Sequence, residues 1–225
     1  MQVDHRSTPG GWPVACLALA GLGLRYALFL PDAWTCGLST WAATGNFFSF
    51  FTVHANLALA LALLAPARYR RPWAMGGATL TLVLVGLVYE TLLRGVWNPG
   101  GGEFLASLIL HDLVPLAALV LWLRRPERGA LRWRHAFLWL AFPGAYLLYL
   151  VFRGLATGWW IYPFLDVQAL GGARVAATAA ALLGLHLAAG LALVAWDRRS
   201  PAPQGEEAPE AFELEEEPLM DPSGA

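Results

Sequence analysis

The chain contains no lysine; all fifteen of its basic residues are arginine. A lysine Schiff base, and with it a retinal-type photoreceptor, is therefore excluded. Cysteine is nearly as scarce. Cys16 and Cys36 are the only two, too few for a disulfide framework, and both read as unpaired. Charge of either sign is thin, at 14% of residues against roughly 25% in ordinary soluble domains. What replaces it is apolar: 57% of the chain is hydrophobic and the mean hydropathy is +0.51.

The few charges are unevenly placed. Beyond Ser200 there are eight acidic residues and no basic one, so residues 1–199 carry all the arginines against eight acids, an excess of seven positive charges. The C-terminal stretch is Pro- and Glu-rich and too polar to bury a core. It predicts a disordered acidic tail over 198–225.

A membrane-spanning helix needs about 20 mostly apolar residues. Six stretches qualify or come close: 12–30, 46–65, 74–94, 104–123, 136–153 and 171–196. Hydrocarbon cannot satisfy bare backbone groups, so these segments are helices. Runs such as LALALALL lack the alternation of a transmembrane β-strand. The fold class expected is all-α, a polytopic bundle of six transmembrane helices over 12–197, after a short N-terminal segment 1–11. Arg25 inside the first apolar stretch, and the lack of a convincing A-x-A site, argue against a cleaved signal peptide.

The loops alternate in charge. Arg68, Arg70 and Arg71 follow the second stretch; Arg124, Arg125, Arg128, Arg132 and Arg134 follow the fourth; Arg198 and Arg199 follow the last. The other loops are basic-poor and rich in Gly, Pro and Trp. The positive-inside rule then places both termini in the cytoplasm of a multi-pass cell-membrane protein, of bacterial inner-membrane type. Most of the eleven Trp, among them Trp12, Trp34, Trp122, Trp133 and Trp196, fall near stretch ends, as an aromatic belt requires.

This orientation assigns depths. Thr52 lies six residues into the second stretch and His111 seven into the fourth, both about 10 Å below the outer boundary. Glu90, Arg25, Tyr149, Arg153 and Arg174 fall in the same outer half. Ionisable groups in hydrocarbon cost several kcal/mol unless paired or hydrated, so each is a candidate site residue. Thr52 and Asn56 share one helix face, and Pro115, four residues after His111, removes the N–H that the His111 carbonyl would accept. The blander alternatives are a Thr bonded back to its own helix, snorkelling for Arg153 and Arg174, a structural Arg25–Glu90 ion pair, and structural roles for His54 and His186.

Local strings resemble a known family. FFSFFTVHANL resembles the F-x-T segment, and HDLVP the His-then-Val-Pro segment, of the androgen-induced-protein / androgen-dependent TFPI-regulating protein family of six-span membrane proteins. GWWIYPFLDVQALGGAR, residues 158–174, is similar to that family's G-x-W-x-Y-P-F-L-[DE] stretch with its subsequent Gly and Ala-Arg. The resemblance covers roughly 12–197. Animal members hydrolyse fatty acid esters of hydroxy fatty acids with a threonine and a histidine. The resemblance therefore implies Thr52 as nucleophile and His111 as base.

A threonine hydroxyl needs such a base at neutral pH. Asn56, Glu90 or Asp166 would orient the histidine or hold the oxyanion, Arg25, Arg153 or Arg174 would bind a carboxylate or phosphate head group, and Tyr149 and Tyr162 would support the site. The expected partners are membrane lipids and a lipid ester substrate, with no nucleic acid, metal or cofactor. A small-solute transporter, a haem-binding electron carrier using His54, His111 or His186, and a non-catalytic scaffold are the competing classes.

Overall fold

A computed structural model describes residues 11–66, 69–125 and 128–199. The acidic tail and residues 1–10 lie outside them. Among the described residues every regular element is helical. In chain order these are α1 (Gly11–Thr35), α2 (Thr40–Phe47), α3 (Phe51–Leu64), α4 (Pro72–Val88), α5 (Gly101–Leu108), α6 (Val114–Arg124), α7 (Trp133–Leu138), α8 (Ala141–Thr157), α9 (Val167–Leu170) and α10 (Gly172–Arg199). A π-helical turn, Tyr89–Leu93, extends α4, and a second, Ile109–Leu113, joins α5 to α6.

Among the described residues, five continuous helices are long and apolar enough to cross a membrane: Gly11–Thr35, Pro72–Leu93, Gly101–Arg124, Trp133–Thr157 and Gly172–Arg199. This is consistent with a multi-pass membrane protein. The expected second span is different. It is broken at Phe48–Phe50, and α2 and α3 meet at 73°. A sixth crossing exists if that bent pair counts as one.

Backbone groups freed by a break must find partners in the protein, and here they do. The Tyr146 hydroxyl donates to the Ser49 carbonyl at 2.7 Å, and the Phe51 N–H donates to the Tyr162 hydroxyl at 3.2 Å. The Ser49 hydroxyl donates to the Gly45 carbonyl at 2.8 Å and lies 2.7 Å from the Tyr149 hydroxyl. Arg153 donates to the Asn46 side-chain oxygen at 2.6 Å. The break is thus held by α8 and by the 158–166 loop, both remote in sequence.

Small residues let the central helices close up. Ala15 and Ala18 of α1 meet Ala55, Leu59, Ala60 and Leu63 of α3, with Leu82, Val85, Val114 and Ala118 completing the cluster. Tight van der Waals packing of this kind holds helices together where lipid supplies no hydrophobic drive. At the opposite end from Thr52, fully buried Asp197 pairs with Arg125. It also accepts the Leu131 N–H at 2.8 Å, which fastens α10 to the segment before α7. Trp122, expected in the belt, is instead buried, with the Arg125 guanidinium 3.5 Å from its ring centroid. Both cysteines are free and exposed.

Candidate functional site

The break between α2 and α3 puts Thr52 on the first turn of a helix rather than in the middle of one. The π turn at Ile109–Leu113 sits where Pro115 removes a backbone donor. One extra residue per turn pushes the backbone outward, and π turns of this sort concentrate at functional sites. The displaced His111 carbonyl is accommodated by Gly86 of α4; a Cβ there would collide with it.

These two irregularities bring Thr52 and His111 together. Thr52 Oγ1 lies 3.2 Å from His111 Nε2, within reach for proton transfer. The other ring nitrogen, Nδ1, lies 3.0 Å from the Ser107 carbonyl and 3.2 Å from the Ser107 hydroxyl. A carbonyl only accepts, so Nδ1 carries the proton and donates to it. The lone pair of Nε2 then faces Thr52, whose hydroxyl donates. The tautomer is the one a general base requires. Tyr89 stacks on the imidazole with centroids 3.8 Å apart and planes 13° from parallel, fixing the ring's tilt.

Asn56 is fully buried and donates to the Thr52 carbonyl at 2.9 Å and to the Leu110 carbonyl at 3.4 Å. It ties the backbone beside the threonine to the residue before the histidine. First-turn N–H groups have no partner within their own helix. In α3 that of Phe51 is taken by Tyr162 and that of Val53 by the Phe50 carbonyl at 3.1 Å. That of Thr52 remains as a donor beside its own hydroxyl.

The pair opens into a cavity of about 640 Å³. Arg25, Asn98 and Glu103 line one end, Thr52 and His111 its flank, and leucines and valines of α4, α8 and α10 much of the rest. Residues 159–165, the WIYPFL-containing loop, form a wall. Tyr162 there is protonated: burial pushes its phenol above the ordinary range, which keeps its hydroxyl uncharged beside the Phe51 N–H.

The remaining expected residues separate into those at the cavity and those behind it. Arg25 lines the mouth and pairs with Glu103 at 2.6 Å, not with Glu90. Glu90 pairs with Arg94 on the outer surface, and Arg94 reaches Asp112 at 3.3 Å; none of the three lines the cavity. Asp166 caps α9, accepting from the Gln168 and Ala169 N–H groups at 2.8 and 2.9 Å. Arg174 stands exposed on the first turn of α10. Tyr149 and Arg153 hold the α2–α3 break, and Tyr162 does so from the cavity wall. His54 bonds its own helix at the Phe50 carbonyl, 3.1 Å away, and does not line the cavity.

Three contributors were missed. Ser107 lies four residues before His111, a helical spacing that reveals it. Tyr89 adjoins Glu90, but only the π turn aims it at the imidazole. His186, expected to be structural and remote, lines the same cavity. Comparison with known proteins adds no further assignment: no family model, curated protein or solved structure matches this chain.

Proposed function

We propose that this protein is an integral-membrane hydrolase of lipid esters, of the fatty acid ester of hydroxy fatty acid type. In this reading Thr52 is the nucleophile and His111 the base. The chain crosses the bacterial inner membrane six times with both termini in the cytoplasm, the α2–α3 pair being one crossing. The observation that carries the reading is the Thr52 Oγ1–His111 Nε2 contact of 3.2 Å together with the Ser107 carbonyl on Nδ1. The resemblance to the androgen-induced-protein family adds support, since its YPFL string packs against the residue preceding Thr52.

Thr52 Oγ1 attacks the ester carbonyl carbon while its proton passes to Nε2. The tetrahedral intermediate collapses, the C–O bond to the alcohol breaks, and the alcohol leaves with that proton. Water then attacks the acyl-threonine, gives its proton to Nε2, and the carboxylic acid departs as Thr52 recovers its hydrogen. The Thr52 N–H at the positive end of α3 is a donor available to the developing oxyanion. An apolar cavity accepts the acyl chain, and Arg25 at the mouth suits an anionic head group once Glu103 yields.

Purified wild type, Thr52→Ala and His111→Ala are compared on a panel of lipid esters. Wild type is expected to hydrolyse at least one class, and each variant to lose about a thousandfold or more in rate. Variants that cleave at the wild-type rate would overturn the assignment.

A further inference from the structure

The cavity continues past the Thr52–His111 pair, and its inner end is not uniformly apolar. The floor lies a turn above Trp139, which does not itself line the cavity. A Cβ on Gly77 of α4 would fall on the indole, and a Cβ on Gly190 of α10 would lie 3.4 Å from it, so the ring wedges between these helices. Its Nε1 donates to the Trp73 carbonyl at 2.9 Å, which anchors it.

Thr81 is four residues from Gly77, and His186 four residues from Gly190. Four residues advance a helix by about 6 Å. The ends of α4 and α10 toward which these steps lead share one cluster, containing Tyr89 and Val175. Both steps therefore run the same way. Thr81 and His186 stand at one level, a turn above the indole, and both line the cavity.

Neither polar group is satisfied by protein. His186 is 4% exposed and neither ring nitrogen has a hydrogen-bond partner; Nε2 is fully enclosed, and Nδ1 is the nitrogen left open to an incoming group. Thr44, Thr91, Thr157 and Thr178 all return their hydroxyls to the carbonyl four residues earlier. Thr81, 5% exposed, makes no such bond and has no other. A buried polar group left unmade costs about 1–3 kcal/mol, so this level is completed by something that enters the cavity. Its cavity neighbours Leu84, Val85, Leu182 and Leu183 carry no charge. A carboxylate or phosphate has no counter-charge here, and the partner is a neutral oxygen.

We propose that the floor is a recognition subsite for a hydroxyl or oxo group carried partway along an acyl chain. The inference rests on the hydrolase reading only for placing the ester at Thr52. Thr81 precedes Tyr89, which stacks on His111, by eight residues, about 12 Å along α4. In an extended chain that distance corresponds to roughly nine or ten carbons from the ester. The substrate class is then an ester whose acyl chain is oxygenated near its middle.

The test measures binding without turnover. The Thr52→Ala chain in micelles is loaded with a fluorescent fatty ester, and non-hydrolysable octadecyl ethers compete for it: plain, hydroxylated near the tenth carbon, or hydroxylated near the third. The mid-chain hydroxyl is expected to bind about tenfold tighter than the other two. That preference should fall to about unity in Thr81→Val, which is nearly isosteric, and in His186→Leu. Equal affinity for all three ethers would overturn the proposal. So would a preference surviving both substitutions, which would leave the polar pair as an anchor for ordered water. No ester is cleaved in the assay, so failure of the hydrolase reading and failure of the subsite are separate results.

Discussion

Gly86→Ala moves His111 without replacing it. The added Cβ would meet the His111 carbonyl oxygen head on, with Pro115 Cγ 3.7 Å behind. The obstacle is backbone, so α4 or the π turn must shift by about 1 Å to restore an ordinary contact near 3.5 Å. Thr52 Oγ1 and His111 Nε2 already stand 3.2 Å apart, at the outer edge of reach for proton transfer. A displacement of that size is expected to lower kcat about a hundredfold, while overpacking costs about 1–3 kcal/mol of stability. Gly77→Ala is the matched control. It overpacks the same helix, but against Cδ1 and Nε1 of the Trp139 indole rather than backbone, and nine residues away, about 13 Å along the axis. Both variants are assayed for ester hydrolysis in detergent alongside thermal unfolding. Activity retained in Gly86→Ala, or lost to no greater extent than in Gly77→Ala, would rule out a positioning role for this contact.

Ser107→Ala removes the hydroxyl contact on Nδ1 but leaves the carbonyl at 3.0 Å, so the hydrolysis rate should fall by less than about tenfold, the worth of one neutral hydrogen bond. Glu90→Gln weakens a half-exposed pair with Arg94; the rate should stay within about twofold of wild type, and a larger loss would return Glu90 to the site. Asp197→Asn leaves the Arg125 charge buried and should lower stability by about 3 kcal/mol in a denaturant titration, with kcat of the folded fraction unchanged.

The helical class was legible because long apolar runs admit little else, and three of the five continuous helices lie within three residues of the expected stretches at both ends. The shared level of Thr52 and His111 was legible for a simpler reason: counting residues along two helices that run the same way needs no side-chain geometry. The broken second span was not. FFSFF reads as uninterrupted helix, and its interruption is stabilised by Tyr146, Tyr149 and Tyr162, which lie about a hundred residues away. The direction in which Glu90 points was not legible because depth fixes height but not azimuth. An extra residue in the π turn of 89–93 rotates Tyr89 onto the imidazole and leaves Glu90 facing outward. His186 looked remote by the same measure, since the cavity that reaches it exists only after α4, α8 and α10 have packed.

The pairing of Thr52 with His111 meets its sharpest test in mass-spectrometric mapping of a fluorophosphonate adduct. Covalent modification is expected at Thr52 and should vanish in His111→Ala, where the hydroxyl is present but no base receives its proton. An unmodified Thr52 in active protein, or an adduct at Ser49 or Ser107 instead, would contradict the assignment.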